Sequence, residues 1–381
     1  MKIVIVNTLY YPYKIGGAER SVQLLAEELV RHQHEVTVIC LHEFNVIKED
    51  IVNGVKVYYL PIRNIYWPFD GKPRSLMKKV VWHTIDYFNF LASRDVERLL
   101  LKIKPDVVHT NNLSGFSISI WSLANKLKLM LIHTSRDYYL FHPLSTLFDS
   151  KKEKNISPRG FFVKLWSFFR KRQSRKVNCY VGISNFISDF HVENGFFPNS
   201  NHAVIYNSVN PCFKSDINNK KNVNYFTVGF IGTLTKNKGF FDFCNIALKF
   251  PEVNFVAAGR FTSDVDENEF KNRFSNKNIS LLGHIEFSDF ADIVDSVILP
   301  VQWNEPFGRT VVECALSGIV VYVSPVGGIK ELINKVYNVY PLESFSGNKK
   351  NNTMENSVNI ISFTSENIAM KYLENYSGVS K

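Results

Sequence analysis

Short apolar runs alternate with amphipathic stretches through nearly the whole chain, and this alternation limits the available folds more than any other feature. Ile3–Val6, Val36–Leu41, Val55–Leu60, Asp106–His109, Leu129–His133, Tyr180–Ile183 and Ala203–Tyr206 read as strands. After the first of them, Ser21–Arg31 places Val22, Leu25, Leu29 and Val30 at helical spacing. Strands that alternate with helices form a mostly parallel sheet, because a parallel neighbour is reached only through a crossover connection. The polar stretch 210–224, with Asn218-Asn219-Lys220-Lys221-Asn222 at its centre, interrupts the series. It restarts at Thr227–Ile231 and continues through Val253–Ala257, Ile279–Leu282, Val297–Leu299 and Ile319–Val323. The pattern predicts two α/β domains in tandem, 1–209 and 225–361, joined by a linker at 210–224. A terminal helix and tail at 362–381 carry Ile368, Tyr372 and Leu373 at helical spacing. A chain of 381 residues is long enough for two cores.

The net charge of +10 points to an acidic partner. Nearly all of it sits in residues 151–176, which hold ten basic residues and one acid, Glu153. Phe161, Phe162, Leu165, Phe168 and Phe169 gather on one face of a helix there, with cations around them, which is the build of an interfacial helix on anionic lipid. The competing arrangement packs that face on the N-terminal sheet and leaves the cations solvated. Charge reversal at Arg170, Lys171 and Arg172 is expected to release the chain from a membrane. No nucleic-acid-binding module is recognisable, so nucleic acid is not an expected partner. The five cysteines are far apart and form no CxxC pair, which argues against a zinc ribbon or a disulfide framework. The opening run is too short for a signal peptide, and no run reaches the roughly 18 apolar residues that span a bilayer. The expected location is cytoplasmic, at the inner face of the cell membrane where contact is peripheral.

Three stretches carry the chemistry. The first strand runs to Gly16-Gly17-Ala18-Glu19-Arg20, two glycines before a helix whose N-terminus suits a phosphate. The second domain opens with Gly232-Thr233-Leu234-Thr235-Lys236-Asn237-Lys238-Gly239, where a lysine point charge suits a diphosphate. Glu305-Pro306-Phe307-Gly308-Arg309-Thr310-Val311-Val312-Glu313 follows the strand Ser296–Pro300, with a helix starting near Arg309. Its two carboxylates can accept from paired hydroxyls of a sugar or ribose. Asp264-Val265-Asp266 spells a metal–nucleotide motif of another transferase fold, but its polar surroundings read as a solvated loop.

The wording EPFGRTVVE resembles the signature of retaining glycosyltransferases of the GT-B fold, in particular family 4. GGAER, Pro105–Asn112, Val181–Ile187, Val204–Asn210, the turn ending Lys238-Gly239 and Gly327–Glu331 fall in that family's order over nearly the whole chain. The resemblance implies two Rossmann-like domains facing across a cleft, with a C-terminal helix packing back on the N-terminal domain. It implies that Gly16 and Gly17 lie against the donor diphosphate, with Gly232 and Thr233 at the second-domain turn. Lys238 would neutralise the diphosphate and Glu313 would hold the ribose. Glu305 would touch the donor sugar beside the N–H groups of Phe307 and Gly308. No metal or cofactor is implied.

Two positions depart from the family. Members carry an arginine after the glycine of the second-domain turn, where this chain has Thr233; Arg309, or else Arg260, would replace that cation. Members also carry a histidine after the fifth strand, a place held here by Arg136, and either Arg136 or His133 would take its role. The resemblance thus implies retaining transfer of a sugar from a UDP- or GDP-sugar to a glycan acceptor. With the basic–aromatic segment, it points to a lipid-linked acceptor in bacterial surface-polysaccharide assembly. The alternative is a non-catalytic sugar-nucleotide-binding or scaffold protein.

Overall fold

The computed structural model describes residues 1–13, 16–209, 226–274, 277–333, 335–348 and 361–378. The expected linker at 210–224 lies outside them. In chain order the first elements are β1 (Lys2–Val6), α1 (Gly17–Arg31), β2 (Glu35–His42), β3 (Lys48–Val52), β4 (Val55–Pro61), α2 (Leu76–Tyr87), α3 (Phe90–Ile103), β5 (Val107–Thr110), α4 (Ser119–Lys126) and β6 (Met130–Ser135). A short hairpin, β7 (Phe148–Asp149) and β8 (Lys154–Asn155), precedes α5 (Phe161–Ser174), β9 (Cys179–Gly182), α6 (Asn185–Glu193) and β10 (Asn201–Val204). Then come β11 (Thr227–Ile231), α7 (Phe240–Ala247), β12 (Asn254–Ala258), α8 (Asp264–Phe274), β13 (Ile279–Gly283), α9 (Phe287–Ile293) and β14 (Ser296–Leu299). The series closes with α10 (Arg309–Leu316), β15 (Val320–Val323), α11 (Ile329–Ile333), β16 (Val339–Pro341) and α12 (Ser365–Tyr376).

These elements form two compact units. The first holds residues 1–145, 157–208 and 364–381, and the second holds 146–156 and 209–363. The β7–β8 hairpin, which the sequence reading leaves inside 1–209, therefore belongs to the second unit. There Asn304 N donates to Asn155 Oδ1 (3.1 Å) and Lys236 pairs with Glu153 (3.0 Å).

The first unit is an eight-stranded sheet in the order β10-β9-β6-β5-β1-β2-β4-β3. All pairings are parallel except that of β3 with β4. The antiparallel β3, Lys-Glu-Asp-Ile-Val, is an exposed edge whose charges discourage pairing with another chain. Helix α1 begins with half of a capping box: Gly16 N donates to Glu19 Oε2 (2.9 Å), and glycine has no side chain to accept in return. Its Val22, Leu25 and Leu29 share one core with Ile3 and Ile5 of β1.

Helix α12 is part of that same core through Ile368, Ala369, Tyr372 and Tyr376. Thr364 caps its start by accepting from Asn367 N (3.3 Å). Polar contacts fix its far end. His109 of β5 meets the Tyr376 hydroxyl through Nδ1 (2.7 Å) and the Thr134 hydroxyl through Nε2 (2.8 Å). Burial, with Arg136 nearby, pushes the His109 imidazole down to about 3, so it is neutral near pH 7 and has one N–H and one acceptor for its two hydroxyl partners. Tyr376→Phe keeps the ring but strands a buried ring nitrogen. It is expected to cost about 1–3 kcal/mol of stability, read as a lower denaturant midpoint; an unchanged midpoint would show that the hydroxyl contributes nothing.

The second unit is a six-stranded parallel sheet in the order β13-β12-β11-β14-β15-β16. Strand order reverses at β11/β14, and open α/β sheets bind ligands beyond the carboxyl ends of the strands at such a point. The Asp264 and Asp266 pair, read as a loop, begins α8 instead. Acids in a first turn complement the helix dipole, which explains their place there.

Candidate active site

The loops that leave β11 and β14 are bound to each other. Gln302 N donates to Asn237 O (3.0 Å), and the Gly239 backbone is packed directly on the Pro300 carbonyl. Gly239 has φ +79°, and a β-carbon there would fall inside the van der Waals surface of that oxygen. Only glycine meets both conditions. The joined loops place Lys238 Nζ 2.7 Å from Glu305 Oε2 and 5.3 Å from the centroid of the Trp303 ring. Both partners are partly exposed, so the ammonium remains open to solvent on one side.

Glu305 is held from behind. Its carbonyl accepts from Gly328 N (2.7 Å), and Gly327, at φ +52°, lies so close to the Glu305 backbone that a side chain has no room. Gly308, at φ +92°, precedes α10, and a β-carbon there would lie 2.7 Å from Ile329. Phe307 is buried beside Phe363, with ring centroids 6.2 Å apart. The dipole of α10 then opens toward whatever occupies this loop. On its first turns Arg309 Nη2 pairs with Glu313 Oε1 at 2.7 Å. The chain thus brings four of the expected charged groups together as two ion pairs. Arg309, expected to replace the missing cation, is held by Glu313, expected to hold a ribose.

Gly232 and Thr233 occupy the turn after β11. Thr233 is exposed; Gly232 has φ +147°, and its carbonyl lies where a β-carbon on Gly259 would have to go, so Gly259 has no room for a side chain. Arg260 is exposed, while its carbonyl accepts from Leu234 N (3.0 Å). Sequence reasoning missed Trp303 and Gln302, and it placed Gly327 in the family's order without giving it a role. Trp303, an aromatic two residues before Glu305, was the available signal for a ring beside the lysine.

In the first unit, Gly16 and Gly17 form the start of α1. Arg136 follows β6 and is buried. Its guanidinium donates from Nε to Asn111 Oδ1 (2.9 Å) and from Nη1 to Asn207 Oδ1, so it joins the ends of β5 and β10. Beside it, burial raises the Asp137 carboxyl to about 6. His133 is enclosed: Nδ1 lies 3.0 Å from Thr110 Oγ1, and the ring stacks on Phe197 at 5.6 Å. Of the two alternatives for the family's histidine, His133 faces the core.

Comparison with known proteins agrees with this architecture. Residues 15–212 match Glycosyltransferase Family 4 and residues 213–345 match Glycosyl transferases group 1. An uncharacterised 42.6 kDa protein of the cps region of Klebsiella pneumoniae is 46% identical over 346 residues, 90% of each chain. Among solved structures, sucrose-phosphate synthase of Thermosynechococcus elongatus superposes with a TM-score of 0.72 at 14% identity, covering 99% of this chain and 98% of that one. The Anabaena protein HepE in complex with UDP and glucose gives 0.67 at 17% identity, with both chains fully covered. Residue order, two mainly parallel sheets and the loops at the β11/β14 reversal lead to one assignment: the chain belongs to glycosyltransferase family 4 and is a glycosyltransferase of the GT-B fold.

Proposed function

We propose that the chain moves a hexose-type unit from a UDP- or GDP-sugar to a glycan acceptor, with retention of anomeric configuration. One observation carries the donor part: the Lys238–Glu305 pair (2.7 Å) joins the loops beyond β11 and β14, where a parallel sheet receives its ligand. In this reading Lys238 meets the departing diphosphate and Glu305 meets the sugar. Phe307 and Gly308 present backbone beside it, and Glu313 takes the ribose hydroxyls. The turn at Gly232-Thr233 gives the diphosphate space rather than charge, and Arg309 supplies the second cation. Gly16 and Gly17 keep the phosphate role that the resemblance implies for the start of α1. Arg136 stands in the place of the family's histidine, fixed by its two asparagines. Charge on the diphosphate is met by side chains and helix ends, so the reading needs no metal.

UDP and glucose bound to HepE support a UDP-sugar. The relative named for the cps region supports surface-polysaccharide assembly, and with it a lipid-linked acceptor. Glu313→Ala is expected to weaken UDP binding about 10- to 100-fold, the loss of two hydroxyl hydrogen bonds to a carboxylate at roughly 1.5–3 kcal/mol. Titration calorimetry on the folded variant checks this, and unchanged affinity would remove Glu313 from the site.

A further inference from the structure

Two neighbouring helices of the first unit present an apolar face to solvent. Helix α2 packs inward through Trp82 and Asp86 and sideways against α5 through His83 and Tyr87. The His83 and Trp166 ring centroids are 5.5 Å apart, and those of Tyr87 and Phe169 are 5.6 Å apart. At 100° per residue, Leu76 and Val80 lie on the same side of α2 as His83 and Tyr87, with Met77 and Val81 turning outward from them. All four are exposed, Leu76 by 76%. Helix α5 buries Val163, Ser167, Arg170 and Ser174. Its opposite face shows Phe161 (83% exposed), Leu165 and Phe168 (69%). The apolar face expected within 151–176 is therefore not packed on the sheet, and α2 extends it with aliphatic residues that sequence reasoning did not single out.

The charges say what covers it. The two helices contain one acid, Asp86, which is buried where its carboxylate accepts from Gly115 N (2.6 Å) and the Tyr139 hydroxyl (2.6 Å). Lys78, Lys79, Lys164 and Arg172 are exposed on the same helices. A second copy docked on this face would set cations against cations. A nucleic acid would leave the apolar centre unused. An anionic bilayer satisfies both, taking aliphatic and aromatic side chains among its acyl chains and cations among its headgroups.

We propose that the joint α2–α5 face docks the enzyme on an anionic lipid surface. Two parts of the basic segment do not belong to it. Lys151, Lys152 and Lys154 lie on or beside the hairpin of the second unit. Arg170 is fully buried, with its guanidinium 4.2 Å from the Trp166 ring centroid and 4.7 Å from that of Tyr87. Reversing its charge tests folding, not lipid contact. The inference rests on the proposed lipid-linked acceptor only for its purpose, and its test reads binding rather than turnover.

Purified full chain is sedimented with phosphatidylglycerol/phosphatidylcholine vesicles and with pure phosphatidylcholine vesicles, at low and high salt. Wild type is expected to bind the anionic vesicles, more weakly at high salt but not to zero, and to ignore the neutral ones. Lys164→Glu/Arg172→Glu is expected to weaken binding at least roughly 25-fold, about fivefold per cation. Leu76→Asp/Val80→Asp and Phe161→Asp/Phe168→Asp are each expected to weaken it more than about tenfold. Melting curves and UDP titration of the same samples report folding and the donor site, so loss of lipid binding with UDP binding intact is the expected result. Wild type that ignores anionic vesicles at low salt overturns the proposal. So does an α2 variant that binds as wild type does, which would leave α5 alone as the contact. Lipid-free self-association abolished by these variants overturns it in favour of a second copy. Vesicle binding by wild type without affinity for either UDP or GDP would instead sink the donor reading and leave this one standing.

Discussion

Replacing Lys238 by alanine is expected to lower kcat for sugar transfer about 10²- to 10³-fold, the loss typical of one preorganised group aimed at charge that develops in the transition state. As the sugar leaves, negative charge builds on the diphosphate. In the proposed reaction Lys238 would answer it without reorganising, because Glu305 at 2.7 Å and the face of Trp303 already fix its ammonium. Binding of the intact sugar-nucleotide donor should weaken less than kcat falls, since the charge is larger in the transition state than in the bound donor. Lys238→Arg should recover only part of the loss, because a guanidinium is planar and the ammonium is a compact point charge. Stability should hardly move, because both partners of the pair are partly exposed. Activity of wild type should survive EDTA. An unchanged kcat in Lys238→Ala would remove the lysine from the chemistry. Turnover lost in EDTA and restored by manganese would show that a metal carries the diphosphate charge instead.

Gly239→Ala should damage the same step from a distance. Two penalties add at this position: a left-handed φ of +79° and a backbone oxygen, that of Pro300, where the new methyl must go. A backbone carbonyl cannot turn aside as a side chain would, so the loops after β11 and β14 must separate. A displacement of about 1 Å at catalytic groups costs roughly 10²-fold in rate, and the strained residue itself costs about 1–3 kcal/mol of stability. Gly283→Ala is the matched control. Gly283 has φ +68°, but nothing lies within 4 Å of the site of its β-carbon. It should lose stability by strain alone and keep its turnover. Equal kcat values for the two variants would show that the Gly239–Pro300 approach does not set the spacing of Lys238 and Glu305.

The strand series and the second-domain site were legible because their signals are local. Apolar runs of four to six residues, glycine turns and the Glu305–Glu313 spacing survive without knowledge of what packs on them. β3 was not legible, because Lys-Glu-Asp-Ile-Val is an edge exposed on both faces and lacks apolar alternation. The β7 and β8 strands are two residues each, too short for any period. Arg170 read as a membrane-facing cation because a sequence does not show that three aromatic rings close over it. The apolar residues of α2 raise the converse difficulty: a leucine that meets solvent or lipid is spelled like one that meets the core. The pairing of Arg309 with Glu313 follows from i,i+4 spacing, yet their separate assignments to diphosphate and ribose obscured it.

The placement of α12 bears on how the protein is made. Protein domains generally fold in the order in which they leave the ribosome. Here the chain passes between the two units four times, and the first unit recovers Ile368, Ala369, Tyr372 and Tyr376 only after the whole second unit has been synthesised. Until then the core around Ile3, Val22 and Val107 lacks its last wall, and His109 lacks the hydroxyl of Tyr376. The part of the protein that is translated first is therefore finished last. A ribosome stalled anywhere before residue 376 would hold an open first unit, a state that invites chaperones or proteases.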